Sequence, residues 1–202
     1  MKKTARLVIL ISGNGSNLQA VLDACETGIL PASVVAVISN QAGAYGLTRA
    51  HNAGVPAIVI QSLPGEDRRA YDTRLAEEIS RHEPDYVILA GWMRLLTATF
   101  LECFPKRVIN LHPALPGTFP GTHAIQRAFD AHQRGEIDRT GIMIHLVPDE
   151  GVDDGPVLAT QEILFHEDES LEQFEERMHT EEHHLLVNTL RILLEMEDTI
   201  IL

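Results

Sequence analysis

Three short stretches of this 202-residue chain hold side chains whose types and spacing could do chemistry. In the first, INLHPALPGTFPGTH at 109–123, Asn110 and His112 stand two positions apart. On an extended segment such residues share one face. Asn offers an uncharged amide donor, and His is a cationic donor or a neutral acceptor near neutral pH. Together they suit a carbonyl whose oxygen becomes negative, which is acyl-transfer chemistry. Pro113, Pro116 and Pro120 fix φ and lack a backbone donor, so a stiff loop is expected after His112. A structural Asn and His closing a proline-rich turn is the other reading of the same residues.

The second stretch, HLVPDEGVDDGP at 145–156, gathers acidic residues and glycines into a turn between strands. A carboxylate beside a His favours the cationic ring and would supply the missing third member of the site; Asp153 is the acid chosen. An exposed acidic loop is the alternative. The third stretch, SGNGSN at 12–17, lies between the apolar run LVILI and a helix expected to begin near Leu18. Its glycines permit close backbone approach, Ser16 and Asn17 can donate or cap, and a helix start favours an anion. Leu18 occupies the third glycine position of the dinucleotide fingerprint, and the Lys of a triphosphate loop is missing, so a monophosphate fits best. The competing reading is a capped tight turn.

Other candidates are weaker. His179 and His183 are four apart, yet no Glu directly follows His179 as the HExxH metal pattern demands, so a polar helix face is expected and no metal. Trp92 and Met93 could line a pocket for a flat heterocycle or simply pack. Cys25 and Cys103 read as core packing.

Something must hold these groups. The β-branched runs 7–11, 34–38, 57–60, 86–90 and 107–111 read as buried strands, alternating with helical patterns such as Leu18, Val21, Leu22 and Cys25, or Tyr71, Leu75 and Ile79. Short strand–helix–strand links predict right-handed crossovers and an α/β fold: a doubly wound, mostly parallel sheet with helices on both faces. IMIHLV and PVLATQEILF are joined by too short a link for a helical crossover and predict an antiparallel extension. From about Ser170 to Met196 a long closing helix is expected. In such sheets ligands gather beyond the carboxyl ends of the strands, where all three chemical stretches fall.

Length and composition agree. With 45% apolar and 22% charged residues the chain is a folded globule, read as a single domain over 1–202. Sixteen Lys and Arg against 29 Asp and Glu give 16 − 29 = −13, which disfavours nucleic acid as a partner. The start MKKTAR–LVILIS has an apolar run shorter than an export-signal core, no stretch reaches a membrane span, and the two cysteines have no paired spacing. A cytoplasmic setting with no membrane partner is expected, and the composition is compatible with an oligomer.

SGNGSN, AGWMRLL, INLHPALPG and DEGVDDGP, in this order, closely resemble the glycinamide ribonucleotide formyltransferase family of purine synthesis. The resemblance spans nearly the whole chain and implies a formyltransferase fold and formyl transfer from 10-formyltetrahydrofolate, as co-substrate, to the amine of glycinamide ribonucleotide, both small molecules. It implies His112 as the catalytic His, Asn110 as the oxyanion-stabilising Asn that also meets folate, and Asp153 as the acid acting on the His. It further implies a phosphate loop of Gly15, Ser16 and Asn17, folate contacts at Arg68, Met93, Arg94, Leu95 and Leu96, and a substrate-amine contact at Glu182. The chain departs from the family pattern in three places: Ala114–Leu115–Pro116 brings the proline one residue early, Met143 replaces a Ser or Thr, and Leu186–Val187 replaces an aromatic–Pro pair. Rival readings are methionyl-tRNA formyltransferase or formyltetrahydrofolate hydrolase, whose extra domains have no counterpart here, and a noncatalytic nucleotide-binding module.

Overall fold

A computed structural model describes residues 4–200, with side chains through residue 196; Lys2 and Lys3 of the basic start lie outside the described residues. In chain order the elements are β1 (Ala5–Ile11), α1 (Ser16–Glu26), β2 (Ala32–Ser39), α2 (Tyr45–Asn52), β3 (Ala57–Val59), α3 (Arg68–Ser80) and β4 (Tyr86–Leu89). There follow α4 (Ala98–Leu101), β5 (Val108–His112), α5 (Ala124–Gln133), β6 (Arg139–Leu146), β7 (Val157–Leu164) and α6 (Leu171–Ile200). One seven-stranded sheet has the order β3-β2-β1-β4-β5-β6-β7. The first five strands pair in parallel, while β5–β6 and β6–β7 are antiparallel. The expected architecture is therefore present, including the antiparallel end.

Strand periodicity divides the core between the two faces of the sheet. Leu7, Ile9 and Ile11 of β1 pack with Leu18, Val21 and Leu22 of α1 and with Phe174, Met178 and Leu186 of α6. Val8 and Leu10, their neighbours, point the other way onto Tyr71, Leu75 and Ile79 of α3 and Phe100 of α4. Each fully buried Leu, Ile or Val contributes about 1.5–3 kcal/mol of transfer free energy, so this alternation selects the register. Helix α3 starts where Asp67 accepts the Ala70 amide at 2.9 Å, and the Tyr71 hydroxyl donates to Ile60 O at 2.7 Å.

Two local expectations need correction. Helix α1 starts at Ser16, two residues before Leu18, and neither Ser16 nor Asn17 caps it. Gly15 holds the N-cap in a left-handed conformation at φ 74° without a side-chain cap bond. Glycine is required there for a second reason: a Cβ on Gly15 would lie 2.8 Å from Cα of Gly46, where α2 passes. Cys103 is exposed just after α4, because Phe100, Leu101 and Phe104 supply the apolar side of that turn; Cys25 is partly buried.

Because β1 is followed outward by β2 and β3, and β4 then returns to its other side, the crossovers diverge between β1 and β4. The carboxyl ends of β1, β4 and β5 open at this switch point, where Ser12, just after β1, is hydrogen-bonded to Gly91 and Met93, just after β4.

Candidate active site

Asn110 and His112 do share a face of β5. The antiparallel register sets Asn110 opposite His145 of β6 and His112 opposite Met143. Asp153 arrives from the β6–β7 loop. Its Oδ2 lies 3.2 Å from His112 Nδ1 and accepts the Gly121 amide at 2.8 Å, and its Oδ1 accepts from Asn110 Nδ2 at 3.0 Å. The three expected groups are thus together, with both oxygens of the carboxylate engaged. Asp153 has φ 55°, a left-handed conformation that Asp tolerates better than most residues and that turns its carboxylate inward.

His145 completes the cluster. Sequence reasoning passed over it, since its role depends on register across β5 and β6. Its ring is 2% exposed; Nδ1 donates to Leu146 O at 2.9 Å, leaving Nε2 to accept from Asn110 Nδ2 at 3.1 Å. The Asn110 amide therefore spends one proton on His145 and one on Asp153. Its orientation is fixed by them, because a flipped amide would set its oxygen against a carboxylate oxygen.

The proline-rich loop has a direct part in the site. Thr118 N and Oγ1 both donate to Leu115 O, at 3.0 and 2.7 Å, closing a tight turn that carries the early Pro116 and delivers Thr118 O to His112 Nε2 at 3.3 Å. Arg127 of α5 donates to Phe119 O and Pro120 O, each at 2.6 Å, pinning the loop from below. Both ring nitrogens of His112 consequently face acceptors. A neutral imidazole satisfies one of them; the cation satisfies both.

Burial nonetheless pushes His112 below the ordinary imidazole value, outweighing the pull of Asp153 and of the Thr118 carbonyl. Asp153 does raise the pKa of His112, as its placement predicts, but burial of the ring costs more and the net shift is downward. Asp153 is itself pushed up by burial, yet the adjoining His145 ring, the Gly121 amide and the His112 ring together bring it below the usual carboxylate range. At neutral pH the pair is a carboxylate beside a neutral ring.

A stability consequence follows from the sign. Between its lowered folded value and the unfolded value near 6.5, His112 binds fewer protons folded than unfolded, so its contribution is present above 6.5 and lost as pH falls. Chemical denaturation at pH 7.5 and 5.5 should therefore show a smaller loss of stability on acidification in His112→Gln than in the parent chain. An equal loss in both would show that this ring does not titrate as described.

These groups form one end of a cavity of about 460 Å³, within the range of small-molecule sites. Its opposite wall is the segment after β4, with Trp92, Met93, Arg94, Leu95 and Leu96 all lining it. The wall is mostly apolar: Met93 and Leu95 are more than half exposed, while Leu96 and Trp92 are buried. Arg94 lies over the Tyr71 ring at 4.0 Å, a cation–π contact that holds its guanidinium. Arg68 stands behind the wall, donating to Leu95 O at 3.3 Å, and is not among the lining residues. Buried Asp72 accepts both the amide and the hydroxyl of Thr97, at 2.6 and 2.7 Å, and anchors the far end of the segment. Sequence reasoning missed Asp72, which is read from sequence as one more polar position on α3.

Gly15, Ser16, Asn17 and Glu182 form a second group outside the cavity lining. Glu182 of α6 is 3% exposed, and its Oε2 accepts from Asn17 Nδ2 at 2.8 Å and faces His179 Nδ1 at 3.1 Å. That hydrogen bond holds His179 above its ordinary value. Arg49 of α2 clamps the loop, donating to Asn14 O and Asn14 Oδ1, both at 2.9 Å. The amides of a left-handed glycine and of the first helical residues remain at the mouth of α1, a geometry suited to phosphate. Among the described residues no group of three or more His, Cys, Asp and Glu side chains could hold a metal ion, and no helix is long and apolar enough to cross a membrane.

The family of formyl transferases matches residues 5–190. The chain is 45% identical over 198 residues to phosphoribosylglycinamide formyltransferase of Schizosaccharomyces pombe, covering 92% of this chain and 95% of the relative. It is 40% identical over 177 residues to the enzyme of the same name from Escherichia coli, covering 88% and 81%. Among solved structures it is similar to glycinamide ribonucleotide transformylase 1 from Symbiobacterium toebii, with a TM-score of 0.88, 38% identity, and 95% and 88% of the two chains covered.

Proposed function

Because the chain belongs to the formyl transferase family, we propose that it moves a formyl group from 10-formyltetrahydrofolate to the amine of glycinamide ribonucleotide, a step of purine biosynthesis. The observation that carries this reading is the meeting of Asn110, His112 and Asp153 at one end of a cavity whose other wall is mostly apolar and suits a heterocycle. Those residues fit the formyl-folate co-substrate: Met93, Arg94, Leu95 and Leu96 hold its heterocycle, with Arg68 supporting Leu95 from behind. Gly15, Ser16 and Asn17 take the phosphate of the ribonucleotide. Glu182, shared between Asn17 and His179, acts on that substrate from beneath the loop.

The substrate amine attacks the formyl carbon, the carbonyl oxygen becomes negative, and Asn110 and His112 stabilise it. One amide proton of Asn110 leaves its partner in the cluster to do so. As negative charge develops, His112 takes up, through water, the proton lost by the attacking amine, so that both acceptors beside its ring have a donor. Collapse of the intermediate breaks the bond between the formyl carbon and the folate nitrogen, and the same proton passes from His112 to that departing nitrogen while Asp153 holds the ring, which ends neutral. Fixing both reactants in one cavity supplies the proximity term.

The noncatalytic alternative leaves this cluster without use, and a transfer to tRNA sits badly with a net charge of −13. The test is direct. Purified protein, glycinamide ribonucleotide and 10-formyltetrahydrofolate together should yield deformylated folate and formylated ribonucleotide in equal amounts, and omission of either substrate should abolish both. Folate consumption without the ribonucleotide would identify a hydrolase instead.

A further inference from the structure

The phosphate loop and the cavity wall are separate groups of residues, yet Ser12, the residue that opens the loop, is hydrogen-bonded to the wall through both its backbone and its side chain. Ser12 follows β1 directly and begins the loop that runs through Gly13, Asn14 and Gly15. Its backbone N–H donates to Gly91 O at 3.0 Å, and its Oγ accepts the Met93 amide at 2.8 Å. The two bonds bracket Trp92, so the start of the wall is clipped at both sides of that residue. The hydroxyl proton is spent on Asn40 Oδ1 at 2.7 Å, beyond the end of β2, and Asn40 is itself buried. A hydroxyl with its proton given to one partner and a lone pair to another has no rotational freedom left. On its other side the loop is tied to α2, where the Gly46 amide donates to Gly13 O at 3.1 Å. The far end of the wall is anchored by Asp72, so a shift at Ser12 is taken up between residues 91 and 97.

We propose that Ser12 is a positioning residue that couples the two substrates, transmitting phosphate binding at the Gly13–Asn17 loop to the folate-facing wall at Gly91–Met93. The inference rests on the functional reading above and adds that the two sites are not energetically independent. Coupling of this kind is reciprocal: each substrate tightens the other by the same factor.

Trp92 is the single tryptophan of the chain and lies inside the clipped segment, so its fluorescence reports on the wall. In the parent protein, adding glycinamide ribonucleotide should change Trp92 emission, and saturating ribonucleotide should lower the calorimetric Kd of tetrahydrofolate by a factor of about 5 or more. In Ser12→Ala the emission change should be lost and the factor should fall towards 1; Ser12→Thr, which keeps a hydroxyl, should restore both. A merely structural role would weaken each Kd and leave their ratio unmoved. Should Ser12→Ala fail to fold by circular dichroism, Asn40→Ala, which frees the hydroxyl proton while sparing the Met93 bond, should lower the factor by a smaller amount. A parent factor near 1, or the same factor in parent and variants, overturns the proposal. The formyl-transfer assay is run on the same parent preparation: transfer without coupling removes only this inference, whereas absence of transfer removes the functional reading.

Discussion

Replacing His112 with alanine should lower kcat for formyl transfer by at least roughly 10² to 10³-fold, the loss typical when one oxyanion donor is deleted. The ring meets Asp153 through one nitrogen and the Thr118 carbonyl through the other. His145 is nearby, but its Nδ1 is committed to Leu146 O and its Nε2 accepts from Asn110. The variant should still fold, since Asp153 keeps its bonds from Gly121 and Asn110 and the apolar clusters are untouched. Steady-state kinetics with both substrates saturating is the measurement. Turnover within a fewfold of the parent would remove His112 from the chemistry.

The second large effect is expected from Asp153→Asn, a change of one atom at nearly constant shape. The carboxylate accepts from Gly121, from Asn110 and from the His112 side at once, which an amide cannot do: its NH2 must confront at least one of those donors. Kcat/KM should fall by roughly 10² to 10⁴, the range for a lost acid–base participant. The charge that opposes the burial of His112 would also be gone, so the ring should be still harder to protonate. The acid limb of the kcat/KM profile, where the ring that must take up the proton is already charged, should consequently move to lower pH. An unmoved limb with turnover retained would mean that Asp153 neither tunes the ring nor serves the proton.

The fold was legible because the strands are uninterrupted apolar runs and the helices carry spaced apolar faces. Val8 and Leu10 against Leu7, Ile9 and Ile11 show the two-sided burial that such a run announces. The pairing of Asn110 with His112 was legible for the same reason, since alternate residues of a strand share a face. What could not be read depends on contacts distant in sequence. His145 meets Asn110, 35 positions away in sequence, through a register that the chain between them does not reveal. The tie between Asn17 and Glu182 spans 165 residues. Whether Asp153 or burial prevails at His112 depends on how tightly the 113–123 loop closes, which no local pattern encodes. Cys103 was misplaced for a related reason: apolar neighbours in sequence are not neighbours on one side of a turn.

The order in which the site comes together during synthesis follows from the antiparallel end of the sheet. Asn110 and His112 are in place once the parallel strands exist, but Asp153 is added 43 positions later, and its loop is tied down only when β7 pairs with β6. A nascent polypeptide that has emerged as far as α5 holds a carboxamide and an imidazole without the acid that orders them. Reactivity thus arrives late, after most of the scaffold has formed, and a ribosome-bound fragment ending before residue 150 is expected to be inert.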